Sequence, residues 1–180
     1  MGILDGWRFC PRCATPLDGG AAHVGCSACG FAHWANSVPG AQAVIENGDS
    51  VLLGRRAHEP SRGLWDLPGG FLEEGEHPLD GLHREVREET GCEITPTRFL
   101  GFWLEPYDGR HVLCITWLAT ITRGTPRGAD DLAELRWFPR SELPTPDELA
   151  FPTFAEILSV WRDLRDDGVG GNPRLEQDRT

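Results

Sequence analysis

Between Pro78 and Gly91 the chain is built to be a helix and little else. Proline suits the first helical turn, where its missing N–H would have had no partner, and glycine suits the left-handed C-cap. Leu79, Leu82 and Val86 recur at i, i+3 and i+7 and define a face turned toward a core. Another face poses an electrostatic problem. At about 100° per residue, Glu88 and Glu89 project within about 60° of Glu85, one on each side. Like charges at that spacing repel by roughly a few tenths of a kcal/mol even in water. A solvated acidic face could absorb that cost, but the surroundings add detail. Arg84 stands four residues before Glu88 and can also reach back to Glu76, while Gly69 and Gly70 bring bare backbone beside the helix. Two features make a soft helix the expectation: Gly81, at a cost of about 1 kcal/mol relative to alanine, and His77 at an N-cap that favours Ser or Asp.

Oxygen ligands on a rigid helix suit a hard divalent cation, Mg²⁺ or Mn²⁺, which keeps waters and bridges to phosphate oxygens. Such an ion offsets the glutamate repulsion and polarises a phosphorus–oxygen bond. Gly70, Glu76 and the run Arg84-Glu85-Val86-Arg87-Glu88-Glu89-Thr90-Gly91-Cys92 then resemble the Nudix box, Gly-x5-Glu-x7-Arg-Glu-U-x-Glu-Glu-x-Gly-U, where U is a bulky aliphatic residue. Cys92 in the last position is the one departure, and the lead-in "GLWDLPGGF" is also similar to this family. The resemblance implies Glu85, Glu88 and Glu89 as metal ligands, the Gly70 carbonyl as a backbone ligand, and Arg84 and Glu76 as groups that orient the glutamates. It leaves open which glutamate deprotonates the attacking water. Glu134, on a downstream loop three residues before Trp137, is a further candidate for that role.

Near the N-terminus, Cys10-x2-Cys13 and Cys26-x2-Cys29 form two chelating turns at the spacing of a zinc ribbon, with four thiolates for a tetrahedral structural Zn²⁺. His23 and His33 are not needed as ligands, and Cys92 and Cys114 read as small core residues. A ribbon ahead of a Nudix box resembles the NADH pyrophosphatases and a related group acting on ADP-ribose or FAD. The NADH branch carries a Ser-Gln-Pro-Trp-Pro-Phe-Pro-type stretch after the box. Here that region reads "PTRFLGFWLEPYDGRH", which favours the second group.

The remaining chain reads as hairpins about Asn47-Gly48 and Asp108-Gly109, a short strand "LRWF", and a second helix after Pro152 with Phe154, Ile157, Leu158 and Trp161 on one stripe. Together these predict an α/β fold, a Nudix-type α/β/α sandwich with a mixed sheet, preceded by a small zinc ribbon. The expected limits are 1–36 for the ribbon, 37–167 for the Nudix domain and 168–180 for a disordered tail.

Arg55, Arg56 and Arg62 stand together just before the metal loop as candidate diphosphate contacts, and Trp103 and Tyr107 as candidates to stack on a base or flavin ring. The formal net charge of −11 argues against a duplex nucleic-acid surface. No apolar run is long enough to span a membrane and the N-terminus lacks a signal-peptide pattern, so a cytoplasmic protein is expected. The expected function is metal-dependent hydrolysis of a nucleoside diphosphate linked to another moiety, ADP-ribose or FAD ahead of NAD(H), in a homodimer. The alternative is a non-catalytic nucleotide or ADP-ribose sensor with the ribbon as its interaction module. Such sensors lose box glutamates, and this chain keeps them.

Overall fold

The computed structural model describes residues 3–164, so the tail expected at 168–180 lies outside the described residues. Three short strands, β1 (Asp18–Gly20), β2 (His23–Gly25) and β3 (Ala32–Trp34), form an antiparallel sheet that carries the cysteine turns. A bridge between Phe9 and Pro16 ties down the first turn.

The larger sheet is mixed. Its order is β10 (Leu132–Pro139), β5 (Ser50–Arg56), β4 (Val38–Asn47), β9 (Arg110–Arg123) and β8 (Glu93–Tyr107), with β4 parallel to β9 and the other neighbours antiparallel. Two short strands sit off this path: β6 (Trp65–Asp66) on β5 and β7 (Gly69–Phe71) on β4. In the β8–β9 hairpin, Asp108 and Gly109 take φ of 43° and 74°, the left-handed pair that a two-residue hairpin loop demands. The β4–β5 loop lies one residue later than expected, because Asn47 pairs with Ser50 and leaves Gly48-Asp49 as the turn.

Alternation along β4 makes the three layers. Ala43 and Ile45 pack with Leu82 and Val86 of helix α1 (Pro78–Thr90), while Val44 faces Phe154, Ile157 and Trp161 of helix α2 (Thr153–Asp163). A strand covered on both faces reads as a continuous apolar run, as "AVI" does here. The expected α/β/α sandwich is therefore the observed one.

Two local details bear on the softness expected of α1. His77, the expected N-cap, caps the helix with its side chain, Nδ1 accepting from the Leu79 N–H at 3.2 Å. Gly81 is a packing requirement, since a Cβ there would stand 2.4 Å from Leu72 Cδ2 and 2.8 Å from Glu76 Oε2. The helix gives up propensity so that the loop bearing Glu76 can close on it.

Candidate active site

β4 changes partner midway, and the site occupies the gap. Residues Ile45 to Asn47 pair with β5, whereas Gly40 to Gln42 pair with β7, and the Ala43 N–H between them donates to Pro68 O. β5 meanwhile diverges to pair with β6. The cleft that opens is lined on one side by Gly69, Gly70, Glu85 and Glu89, and on the other by Arg56, Asp66, Glu105, Tyr107, Cys114 and Phe151.

Helix α1 presents Glu85 and Glu89 to this cleft. Glu89 is 5% exposed and its Oε2 accepts from the Gly69 N–H at 2.8 Å. Burial, followed by the nearby Asp66 charge, drives its carboxyl well above the usual range, and burial likewise raises Glu85. Gly70 is a cradle for Glu85: a Cβ there would lie 2.5 Å from the carboxylate carbon. Gly69 holds φ at 149° and touches β4 so closely that a Cβ would meet Ala41 O at 2.3 Å.

Arg84 organises the row. Its guanidinium donates to both oxygens of Glu76 at 2.9 Å, to Phe71 O at 3.0 Å, to Glu85 at 2.7 Å and to Glu88 at 3.2 Å. Glu76, hydrogen-bonded by Arg84, is held down at about 2. Glu88 points to solvent and does not line the cleft.

These groups suit a hard divalent ion. The donors are carboxylate and carbonyl oxygens, and burial raises the carboxyls of Glu85 and Glu89 that face the cleft. Among the described residues, only the four cysteines bring three or more ligand atoms within 4.8 Å of one another. Glu85, Glu88 and Glu89 therefore do not form one protein-only coordination shell. Their spread suits ions that keep waters and substrate oxygens as ligands.

The far wall was less visible in the sequence. Arg56 pairs with Asp66 at 2.5 Å and donates to Pro60 O at 2.6 Å, with its guanidinium 5.8 Å from the Tyr107 ring centre and 5.4 Å from that of Phe151. Burial pushes Asp66 up to about 6 against the pull of Arg56. Glu105 is 3% exposed and accepts from Gln42 Nε2 at 3.1 Å, Thr153 Oγ1 at 3.1 Å and the Cys114 thiol at 3.2 Å. Burial raises Glu105 and, more strongly, Cys114.

Of the residues singled out from sequence, the cleft gathers Gly70, Glu85, Glu89, Arg56 and Tyr107, with Arg84 and Glu76 directly behind. Arg55 stacks on Trp65 at 4.4 Å and binds Glu134 at 3.0 Å, outside the lining. Arg62 is exposed, and Trp103 is half-buried against the α2-side core. Glu134 lies at a bulge within strand β10 and not on a loop; from that segment it is Asp131 that lines the cleft. Asp66, Glu105 and Asp131 were missed. A signal existed for Glu105, which shares a strand face with Trp103 and Tyr107 at alternate positions of β8.

At the other end of the chain, the sulfurs of Cys10 and Cys29, and of Cys13 and Cys26, lie 3.5 Å apart. That is close to the edge of about 3.8 Å expected of a tetrahedron with metal–sulfur bonds of about 2.3 Å. The two turns repeat one geometry. Ala14 and Gly30 adopt φ of 58° and 73° and donate to Cys10 O and Cys26 O, each at 2.9 Å. His23 and His33 stay outside the set: His23 packs tilted against Trp34 at 4.9 Å and His33 stacks on Trp7 at 5.2 Å.

Comparison with known proteins agrees with this geometry. The family model of the NUDIX domain matches residues 37–158. The chain is 30% identical over 140 residues to the NAD-capped RNA hydrolase NudC of Chromobacterium violaceum, covering 76% of this chain and 52% of that protein. It is 35% identical over 123 residues to the ADP-ribose pyrophosphatase of Methanocaldococcus jannaschii, covering 67% of this chain and 69% of the relative. The chain thus spans about half the length of the NudC relative that it matches. A NUDIX hydrolase structure from Nitrosomonas europaea superposes with a TM-score of 0.77 at 23% identity, covering 89% of this chain and 93% of the other. With its fold, its box and its domain match in agreement, the chain belongs to the Nudix family.

Proposed function

We propose that this protein is a divalent-metal-dependent pyrophosphohydrolase acting on a nucleoside diphosphate linked to a second moiety. The observation that carries the reading is the Gly70 cradle, which holds the Glu85 carboxylate, beside the buried Glu89, at the mouth of a cleft of nucleotide-compatible chemistry. Mg²⁺ or Mn²⁺, held by Glu85, Glu88, Glu89 and the Gly70 carbonyl, would supply charge neutralisation and polarisation of the phosphate. Arg84, anchored by Glu76, fixes the carboxylates of Glu85 and Glu88. Arg56 offers the cleft its nearest fixed positive charge for the diphosphate. Water adds to one phosphorus as the bridging phosphorus–oxygen bond breaks. A cleft carboxylate takes the water proton, and a nucleoside monophosphate departs with a phosphorylated remainder.

ADP-ribose leads as substrate, supported by the 35% identical relative of that activity and by the missing Pro-rich stretch after the box, with FAD beside it. NAD(H), free or as an RNA cap, is the second reading. It is favoured by the NudC of Vibrio atlanticus, which aligns with 93% of this chain at 28% identity. The cysteines hold a structural Zn²⁺ in this reading, and exposed Phe102, Leu104 and Leu113 on the β8–β9 hairpin support a homodimer. The protein would work in the cytoplasm; among the described residues no helix is long and apolar enough to cross a membrane.

Assays that detect the monophosphate products of ADP-ribose, FAD, NADH and NAD-capped RNA, under Mg²⁺ or Mn²⁺, test the proposal. The expected result is turnover that Glu89→Gln reduces by at least about a hundredfold. Tight nucleotide binding without turnover would instead identify a sensor.

A further inference from the structure

We infer that Glu105 is a substrate-binding residue that accepts a hydrogen bond from a hydroxyl of the sugar joined directly to the scissile diphosphate. The inference rests on the hydrolase reading above and adds the part of the substrate that the far wall recognises.

Glu105 is a buried acid with an unfilled acceptor. Oε1 takes both strong donors, Gln42 Nε2 and Thr153 Oγ1, while Oε2 has only the thiol of Cys114. A thiol is a weak donor and a carboxylate oxygen can accept two hydrogen bonds. Among the described residues Glu105 has no ion-pair partner within 4.0 Å, in contrast to Asp66, which has Arg56. A core carboxyl kept only for stability would be met by strong donors on both oxygens or replaced by an apolar group, because a weakly met buried acceptor destabilises the fold. This one lines the cleft.

Charge decides what it can meet. A carboxylate repels the diphosphate, so it must face an uncharged, donor-bearing portion of the ligand. Geometry narrows that portion to the sugar. Cys114 Sγ lies 3.2 Å from Glu105 Oε2 and 3.5 Å from where a Cβ on Gly40 would stand, which is itself 3.2 Å from Gly70 O. These three steps bound the Glu105-to-Gly70 separation at roughly 10 Å. At that upper limit the span admits at most a metal-bridged phosphate and one sugar, and it is too short for an extended nucleoside. The rings of Tyr107 and Phe151, 5.8 Å apart on the same wall, supply apolar faces for the sugar carbons. Gln42 keeps the carboxylate in place, since its Nε2 also donates to buried Thr116 at 3.0 Å.

The test compares full-length wild type with Glu105→Gln, which retains Oε1 for Thr153 and turns Oε2 into a donor. The substrates are ADP-ribose, its 2′-, 3′-, 2″- and 3″-deoxy analogues and its hypoxanthine analogue. For Glu105→Gln, KM for ADP-ribose should rise about tenfold with kcat within about twofold. One deoxy analogue should raise wild-type KM by a similar factor, and Glu105→Gln should add nothing further for that analogue. The wild-type series stands alone if the variant fails to fold: deoxy analogues all bound like ADP-ribose would overturn the inference. So would an unchanged KM in Glu105→Gln, or coupling to the hypoxanthine analogue instead. Dissociation constants measured with Ca²⁺ in place of Mg²⁺ separate the two levels. A wild type that binds but never hydrolyses ADP-ribose refutes the hydrolase reading, while the same coupling in binding would still establish the Glu105 contact.

Discussion

Gly70→Ala should abolish most activity while leaving the fold intact. Unlike Gly69, Gly70 does not sit in the left-handed region, so alanine meets no backbone strain there. What the new methyl meets is Glu85: its carboxylate carbon at 2.5 Å and its oxygens at 2.6 and 2.7 Å. Ordinary contact lies near 3.5 Å, so the carboxylate must move by about 1 Å. Helix α1 cannot give way, because Leu82 and Val86 are fully buried against β4. The side chain yields instead, away from the position in which Arg84 holds it at 2.7 Å. A displacement of about 1 Å in a reacting group costs on the order of a hundredfold in rate, or about 2.7 kcal/mol. Stability should change by less than about 1 kcal/mol. The backbone-entropy gain of Gly→Ala, about 0.4–1 kcal/mol, offsets a weakened, partly exposed ion pair. The assays are kcat/KM with Mg²⁺ and thermal unfolding. Activity within threefold of wild type would refute the cradle argument, and so would joint loss of fold and activity.

Three other perturbations test separate parts of the molecule. Ala14→Gly relieves a left-handed alanine, φ 58°, and should stabilise the metal-loaded ribbon by about 0.5–1 kcal/mol after the entropy cost of glycine; faster zinc loss to a chelator would contradict this. Glu76 has its folded pKa lowered to about 2 from 4.5 by Arg84, so its stabilisation is present above pH 4.5 and fades as pH falls toward 2. Glu76→Gln should accordingly flatten the acid limb of the stability–pH curve in that window, and an unchanged limb would exclude the linkage. Arg140 stacks at 4.1 Å on Trp161, donates to the carbonyls of Trp161 and Arg162 at the end of α2, and pairs with Asp49 at 3.1 Å. Arg140→Ala should cost about 2–3 kcal/mol and lower Tm by roughly 5–10 °C; a shift below about 2 °C would place the helix anchor elsewhere.

What the sequence disclosed was local, and what it concealed was not. Helix α1 was bounded by Pro78 and Gly91, and the cysteine turns by their spacing, because chain-local geometry determines both. Gly81 showed its cost in propensity but not its reason, because the space its missing Cβ leaves is filled by Leu72 and Glu76, nine and five residues earlier. The arginines were half-read. Adjacent residues on a strand face opposite ways, so Arg55 and Arg56 could not both enter one cleft. Arg56 enters, and Arg55 meets Glu134 and Trp65 outside. Glu105 joins the site only through pairing of β4, β9 and β8, which brings Gln42 against it from 63 positions away. No spacing rule exposes a contact of that kind.

The cleft is more acidic than its substrate would seem to permit. Asp66, Glu85, Glu89, Glu105 and Asp131 line it, and among the described residues the one arginine in the lining, Arg56, is already paired with Asp66. Arg84 is committed to Glu76, Glu85 and Glu88. A diphosphate therefore meets net negative charge in a partly dry site, where each uncompensated pair is repulsive by several times its value in water. Burial drives Glu85, Glu89 and Glu105 upward together. In the proposed reading, divalent cations would neutralise Glu85 and Glu89, and Glu105 would be left to the sugar. Substrate and metal would then bind as a unit: the metal would supply the charge that the diphosphate requires, and the diphosphate would supply oxygens that the spread glutamates do not provide by themselves. A net charge of −11 is no obstacle to binding an anion when the binding surface is completed by its counter-ions.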